Sequence, residues 1–230
     1  NHTNGNRNRG NRMIIKNGLV FTSEGKFEEK DLYIEGEYVA KETTDNKEIK
    51  AEGCYVIPGL VDIHFHGCVR HDMCDGTEES IQALADYEAE NGVLAICPAT
   101  MTIPEEELFQ AMNAAREHKN GKGADLVGIN MEGPFVNKEK KGAQKEEDIK
   151  TADVELFHKL QEAAGGLIKL VDLAPETEGA MEFIDQVKDE VHVSIAHTMA
   201  DYDTATEAIS RGVDHITHLY NCLLYTSDAA

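Results

Sequence analysis

The sequence predicts an α/β protein, an incomplete (β/α)8 TIM-type barrel of about six of its eight strands, preceded by the N-terminal part of a small β-domain. Three observations carry this. Strand-like apolar runs alternate with helix-spaced runs through residues 58–221. The strand runs are near-continuous in Val, Ile and Leu, as parallel strands buried on both faces require. Metal-type side chains fall at the ends of several of these runs, and a barrel gathers all its C-terminal strand ends on one rim.

Before residue 58 the pattern differs. "MIIKNGLVFT" and "KDLYIEGEYVA" are short β-branched and aromatic runs broken by Gly, Asn and charge, and they predict a small antiparallel sheet over residues 13–57. The barrel part, residues 58–221, opens with "GLVDIHFH" as its first strand. "GTEESIQALADYEAENG" follows as a helix, with Ile81, Leu84 and Ala85 at helical spacing and acids in its first turn. "VLAICPAT" is the second strand. "IPEEELFQAMNAAREHKNG" is a helix with Pro104 near its start and a basic end. "DLVGINMEGPF" is the third strand. "TADVELFHKLQEAAGG" is a helix capped near Thr151 or Asp153 and stopped by Gly165-Gly166. Then come strand "LIKLVDLAP", helix "ETEGAMEFIDQVKDE", strand "VHVSIAHT", helix "DYDTATEAISRG" and a sixth strand, "VDHITHLYN". No G-x-G-x-x-G follows the first strand and no P-loop appears, which removes the main support for a nucleotide-binding open sheet.

Composition excludes other classes. The chain of 230 residues carries a formal net charge of −21, a surface that repels phosphate backbones, so no nucleic-acid partner is expected. No apolar run reaches the roughly 18 residues of a membrane span, so no membrane partner is expected. The N-terminus lacks the apolar stretch of a signal peptide, and a cytoplasmic protein is the expectation. Residues 1–12 are Asn, Arg and Gly with nothing to bury and read as a disordered or foreign tail. The five cysteines, Cys54, Cys68, Cys74, Cys97 and Cys222, include no C-x-x-C pair and read as buried free thiols in a reducing compartment.

The reactive side chains form a pattern. His64 and His66 end the first barrel strand, Glu132 the third, His197 the fifth and His218 the sixth. Residues two apart in a strand face one side, so His64 and His66 are expected to project together. Four imidazoles and a carboxylate suit one or two ions of Zn²⁺ or Fe²⁺ and do not suit Ca²⁺ or Mg²⁺. Glu132 is placed to bridge two ions, with His64 and His66 on one and His197 and His218 on the other. Such a centre lowers the pKa of water toward neutrality, and the expected chemistry is hydrolysis of an amide or ester. His71, His118, His158, His192 and His215 lie on loops, helix faces or the opposite strand parity and read as solvated or structural, and His2 lies in the tail.

"PGLVDIHFHG", "HDMCDGTEES", "CPATMT", "GINMEGPF", "KKGAQ", "LAPE", "IAHT" and "THLYN" occur in an order that resembles the amidohydrolase superfamily, and within it the deacetylases of amino-sugar 6-phosphates. The resemblance spans residues 13–221, with "MEGPF" and "THLYN" its more specific motifs. It implies a (β/α)8 barrel with a small β-domain built from both chain termini, and removal of acetate from an amino-sugar phosphate substrate, usually by a homodimer. It implies that Glu132, His197 and His218 are metal ligands and that His64 and His66 match members holding a second metal. Ala143, Gln144 and Asn221 fall at substrate-binding positions; Gln144 stands where other members carry a His that contacts the sugar. Gly133 and Pro134 are expected to shape the turn behind Glu132. The proton-transferring Asp of such enzymes lies on an eighth strand, beyond residue 221.

Residues 222–230, "CLLYTSDAA", read as a translated sequencing adapter joined to a truncated gene. A chain of this extent is expected to be poorly stable and to lack turnover. The alternatives are another amidohydrolase, such as a dihydroorotase or D-aminoacylase, or a metal-binding but inactive fragment. Many of the former bridge their metals with a carboxylated Lys after the fourth strand, where this chain has "LVDLAPE".

Overall fold

The computed structural model describes residues 12–43 and 47–221. Residues 1–11 of the tail and the adapter-like segment, with His2 and Cys222, therefore lie outside the described residues, while Arg12, expected in the tail, opens the first strand. The chain divides into two compact units at Gly59 and Leu60.

In the first unit, β1 (Arg12–Phe21) turns back through residues 22–26 into β2 (Phe27–Glu35), and β2 pairs antiparallel with β3 (Tyr38–Ala40). β4 (Glu48–Lys50) and β5 (Tyr55–Val56) instead run parallel to β1. The sheet is thus mixed rather than antiparallel. Its order is β3-β2-β1-β4, so the chain crosses the sheet after β3 and meets the far side of β1 in the same direction. β1 bulges between Ile15 and Gly18, where Asn17 takes φ 58°.

The second unit starts with β6 (Leu60–Asp62) and the hairpin β7 (Gly67–Cys68) and β8 (His71–Asp72). α1 (Glu78–Glu90), β9 (Val93–Ile96) and α2 (Glu105–Glu117) follow. β10 (Asp125–Leu126) and β11 (Ile129–Glu132) are two parts of one strand: the first pairs with β9, and Asn130 bridges to Ala99 just beyond β9. Then come α3 (Val154–Ala163), β12 (Ile168–Leu173), α4 (Ala180–Val187), β13 (His192–Ile195), α5 (Tyr202–Arg211) and β14 (His215–Ile216). All pairings among β6, β9, β10/β11, β12, β13 and β14 are parallel, and neighbours in space are neighbours in sequence. A doubly wound sheet must reverse its strand order once. This one never does, so it is an arc of a (β/α)8 barrel, with β6 and β14 at its edges.

Local chemistry accounts for the helix starts. Thr77 accepts from the Ser80 N–H at 3.2 Å, Asp153 from Leu156 at 3.0 Å and Asp201 from Thr204 at 2.9 Å. The core lies between the helices and the outward face of the arc. It holds Ile81, Leu84, Leu108, Met112, Met131, Leu160, Val171, Phe183, Ile184 and Val193, all but fully buried. The barrel strands are shorter than the apolar runs that predict them, most clearly at the two edges. β6 ends at Asp62 because the Asp62 carboxylate takes the His64 N–H at 2.9 Å, and β14 spans only His215–Ile216. The cysteine expectation also needs correction: Cys97 is buried, Cys68 and Cys74 are half-buried, and Cys54 is exposed in its turn. Among the described residues, no helix is long and apolar enough to cross a membrane.

Candidate metal centre

The centre is built around Glu132, the last residue of β11, whose carboxylate is 1% exposed. Register places Glu132 beside Asp172 of β12, and Asp172 beside Ser194 of β13. Neighbours in register share a face, so these polar side chains form one layer. Thr217 joins it, donating to Asp172 Oδ1 at 3.0 Å and sharing a 2.8 Å hydrogen bond with Ser194. Gly133 turns the chain after Glu132 with φ 77°, and a Cβ there would clash with Thr102 Oγ1. Only glycine fits that turn.

Four imidazoles converge on the two oxygens of Glu132. His197 Nε2 lies 2.8 Å and His218 Nε2 3.0 Å from Oε1. On the other side, His66 Nε2 lies 3.1 Å and His64 Nε2 3.8 Å from Oε2. The rings pack edge to face, with centroids 5.0 Å apart for His64 and His218 and 5.2 Å for His197 and His218. All five residues expected from the sequence are therefore brought together. The route differs from the expected one. His64 and His66 lie beyond the end of β6, so their convergence does not come from strand pleat. His197 and His218 each lie two residues past a strand end, in the left-handed region at φ 46° and 54°, conformations a non-glycine residue holds only when its surroundings enforce them.

The outer ring nitrogens show how the inner ones are aimed. His197 Nδ1 meets the Lys140 carbonyl at 2.8 Å, and His66 Nδ1 meets the Ala99 carbonyl at 3.3 Å. A carbonyl only accepts, so each Nδ1 carries the proton and each neutral Nε2 turns a lone pair toward the carboxylate. Lone pair facing anion is repulsive unless a cation lies between them. That cation is either a proton on the imidazole or a metal ion. Among the described residues, Glu132 Oε2 and His64 Nε2 are buried without a hydrogen-bond partner, and His64, Glu132 and His218 offer ligand atoms within 4.8 Å of one another. The donor set thus fits a divalent metal. Asn130, two residues before Glu132, holds His64 Nδ1 at 2.8 Å. Ligation through His64 Nε2 requires the amide oxygen of Asn130 at that position, which a flip of the amide supplies without moving the chain.

Titration follows the same geometry. Burial pushes the Glu132 carboxyl up, but the His197 hydrogen bond and the His66 and His64 imidazoles hold it well below the usual carboxylate range. The Glu132 carboxylate raises His66. His197 is lowered by burial and raised by more through Glu132 and the Lys140 carbonyl, for a net rise, whereas burial lowers His64. Asp172 is fully buried, which with the Glu132 charge pushes it up to about 8. A metal must displace the protons that His66 and His197 retain above their ordinary 6.5. Metal uptake is therefore expected to release protons, and apparent affinity to climb as pH rises through and beyond that value, flattening once both imidazoles are neutral. Calorimetric titrations in buffers of different ionisation enthalpy check this; proton release that does not diminish as pH rises would contradict it.

The other expected residues are placed differently. Gln144 is buried, its Oε1 accepting from the Thr102 N–H at 2.5 Å and its Nε2 lying 3.6 Å from Met101 Sδ. Its amide is engaged with that loop, and a sugar contact through it requires those bonds to open. Ala143 and Asn221 are exposed, and the Asn221 N–H bonds back to the His218 carbonyl at 2.6 Å. Among the remaining histidines, His71 bonds Ser80, His158 pairs with Glu190, His192 pairs with Asp214, and His118 is buried.

Sequential parallel strands with this rim define a (β/α)8-barrel class with a metal-type donor set at its strand ends. Residues 55–227 match the amidohydrolase family, and the chain belongs to that family, whose members generally use divalent metals. It is similar to the N-acetylglucosamine-6-phosphate deacetylase of Bacillus subtilis (strain 168), 38% identical over 220 residues that cover 91% of this chain and 53% of that protein. Two solved structures share the fold. The N-acetylglucosamine-6-phosphate deacetylase of Pasteurella multocida has TM-score 0.84 and 24% identity over 94% of this chain and 59% of that one. A mutant of the Mycobacterium smegmatis deacetylase in complex with N-acetyl-D-glucosamine-6-phosphate has TM-score 0.80 and 25% identity over 93% and 57%. The chain spans about half the length of the curated relatives it matches.

Proposed function

We propose that this chain carries the metal centre of a deacetylase that hydrolyses the acetamide of N-acetylglucosamine 6-phosphate to glucosamine 6-phosphate and acetate. The observation that carries the reading is the pair of imidazoles, His66 and His197, whose Nδ1 atoms are tied to carbonyls and whose Nε2 atoms face opposite oxygens of one buried carboxylate. Zn²⁺ or Fe²⁺ held by His64, His66, Glu132, His197 and His218 would polarise the acetamide carbonyl and lower the pKa of attacking water. Glu132 gathers one imidazole pair on each of its two oxygens, and Asn130, Ala99 and Lys140 orient the rings of His64, His66 and His197. Asn221 and Ala143, both exposed, are assigned to contact the sugar phosphate. The proton-transferring carboxylate is assigned to the part of the relatives' length that this chain does not cover.

Acetate release tests this. The complete gene product is assayed on N-acetylglucosamine 6-phosphate, the unphosphorylated sugar, dihydroorotate and an N-acetyl-D-amino acid, beside the 230-residue chain alone. Release from the phosphorylated sugar by the complete product, with metal uptake but no turnover by the shorter chain, is expected. Preferential hydrolysis of dihydroorotate or the amino acid would move the assignment to another amidohydrolase. Turnover by the chain alone would refute the assignment of the proton-transferring group.

A further inference from the structure

His197 has to be held in a backbone conformation it would not choose, and one side chain outside the ligand set holds it. Glu176 lies three residues past the end of β12. Its Oε1 accepts from Asn137 Nδ2 at 2.8 Å and from the Met199 N–H at 2.6 Å, and its Oε2 accepts from Thr198 Oγ1. Met199 and Thr198 directly follow His197. Asn137 completes the circuit from the other side: its N–H donates to the His197 carbonyl at 3.0 Å, and its own carbonyl takes the Lys140 N–H at 3.1 Å. The Lys140 carbonyl in turn receives His197 Nδ1 at 2.8 Å. One carboxylate therefore ties together the segments that follow β11, β12 and β13, and closes a loop of hydrogen bonds around both the backbone and the ring of His197.

We infer that Glu176 is a positioning residue for His197: it fixes the left-handed backbone and the ring direction of that imidazole, and so sets metal affinity without touching the ion. The inference rests on reading His64, His66, Glu132, His197 and His218 as a metal centre. Its chemistry is specific. The Asn137 amide and the Met199 N–H can only donate and both meet Oε1, while the Thr198 hydroxyl meets Oε2, and the carboxylate charge strengthens all three bonds. Glu176→Gln keeps the volume but loses that charge, and the Thr198 hydroxyl must turn to accept from the new amide N–H. Glu176→Ala removes every bond.

The test uses the whole chain and Zn²⁺ alone as probe, with two readouts. In competition with a chromophoric chelator, Glu176→Gln and Glu176→Ala are expected to weaken Zn²⁺ binding by roughly 10–100-fold, the size reported for residues that orient metal ligands. In a His197→Ala background the same changes are expected to add less than about twofold, because the ligand they act through is gone. In the metal-free chain, hydrogen exchange at the Asn137 amide is expected to speed up in both variants while exchange in β12 does not. Affinity within about twofold of the parent, or an equal loss in the His197→Ala background, overturns the inference. If the parent takes up no Zn²⁺, the metal reading fails, and the exchange readout decides alone: unchanged protection at Asn137 overturns the role of Glu176. Glu176→Gln serves where Glu176→Ala does not fold.

Discussion

Glu132→Gln is expected to lower Zn²⁺ affinity by more than any single histidine replacement, by at least about 100-fold, the upper end of what residues merely orienting a ligand contribute. The reason is geometric. Each histidine serves one oxygen of Glu132, but Glu132 serves all four imidazoles, with His197 and His218 on Oε1 and His66 and His64 on Oε2. Glutamine keeps the shape, loses the charge and presents an N–H where the second pair meets an acceptor. The substitution also acts on the metal-free chain. Glu132 is held below its ordinary 4.5, so its ionised form contributes stability above that value, lost as pH falls through the lowered one. At neutral pH the variant lacks that contribution, and His66, raised by the Glu132 carboxylate, is expected to titrate lower. Chelator competition together with the histidine proton resonances measures both effects; an affinity equal to that of a single histidine variant would contradict this picture.

Phe183→Ala is expected to be the most damaging change to the fold, costing about 3–5 kcal/mol. Phe183 is fully buried on α4, 5.3 Å from the Phe135 ring and 5.7 Å from the Phe157 ring by centroid. Phe135 lies three residues past Glu132 and Phe157 lies on α3, so the cluster ties two helices to the segment that leaves the metal centre. Removing the central ring leaves a void between elements that cannot collapse onto it. Urea denaturation of the metal-free chain reads the loss directly. Tyr220→Ser, at a side chain that is 79% exposed, is expected to stay within about 0.5 kcal/mol. A Phe183→Ala loss near 1 kcal/mol would mean that the helices repack.

The alternation of apolar runs and helix-spaced runs was enough to read the barrel, because parallel strands buried on both faces leave a continuous apolar signature and the starts of α1, α3 and α5 carry side-chain caps. The five metal-type side chains were legible because a barrel rim gives strand ends a shared location. Their local geometry was not. His64 and His66 leave the ladder when the Asp62 side chain captures the His64 N–H. His197 and His218 adopt positive φ through contacts made by residues distant in sequence. The parallel pairing of β4 and β5 with β1 was hidden for a similar reason, since short strands show composition but not the side on which they dock. Asn130 was within reach, two residues before Glu132 in one strand and so on the same face. Glu176 was not: "LAPE" says nothing about the 22 residues that separate it from Thr198. Gln144 shows the limit of analogy by position, because its amide is engaged with the Met101–Thr102 loop.

X-ray absorption at the zinc edge, on the chain stripped of metal and reloaded with Zn²⁺, reads the donor set itself. Nitrogen and oxygen neighbours at about 2.0–2.2 Å are expected, with the outer scattering of several imidazoles and no sulfur. Half-buried Cys68 and Cys74 lie in the same unit as the histidines, which makes the absence of sulfur a demanding result. A zinc–sulfur shell near 2.3 Å, or a spectrum without imidazole scattering, would contradict a centre made of His64, His66, Glu132, His197 and His218.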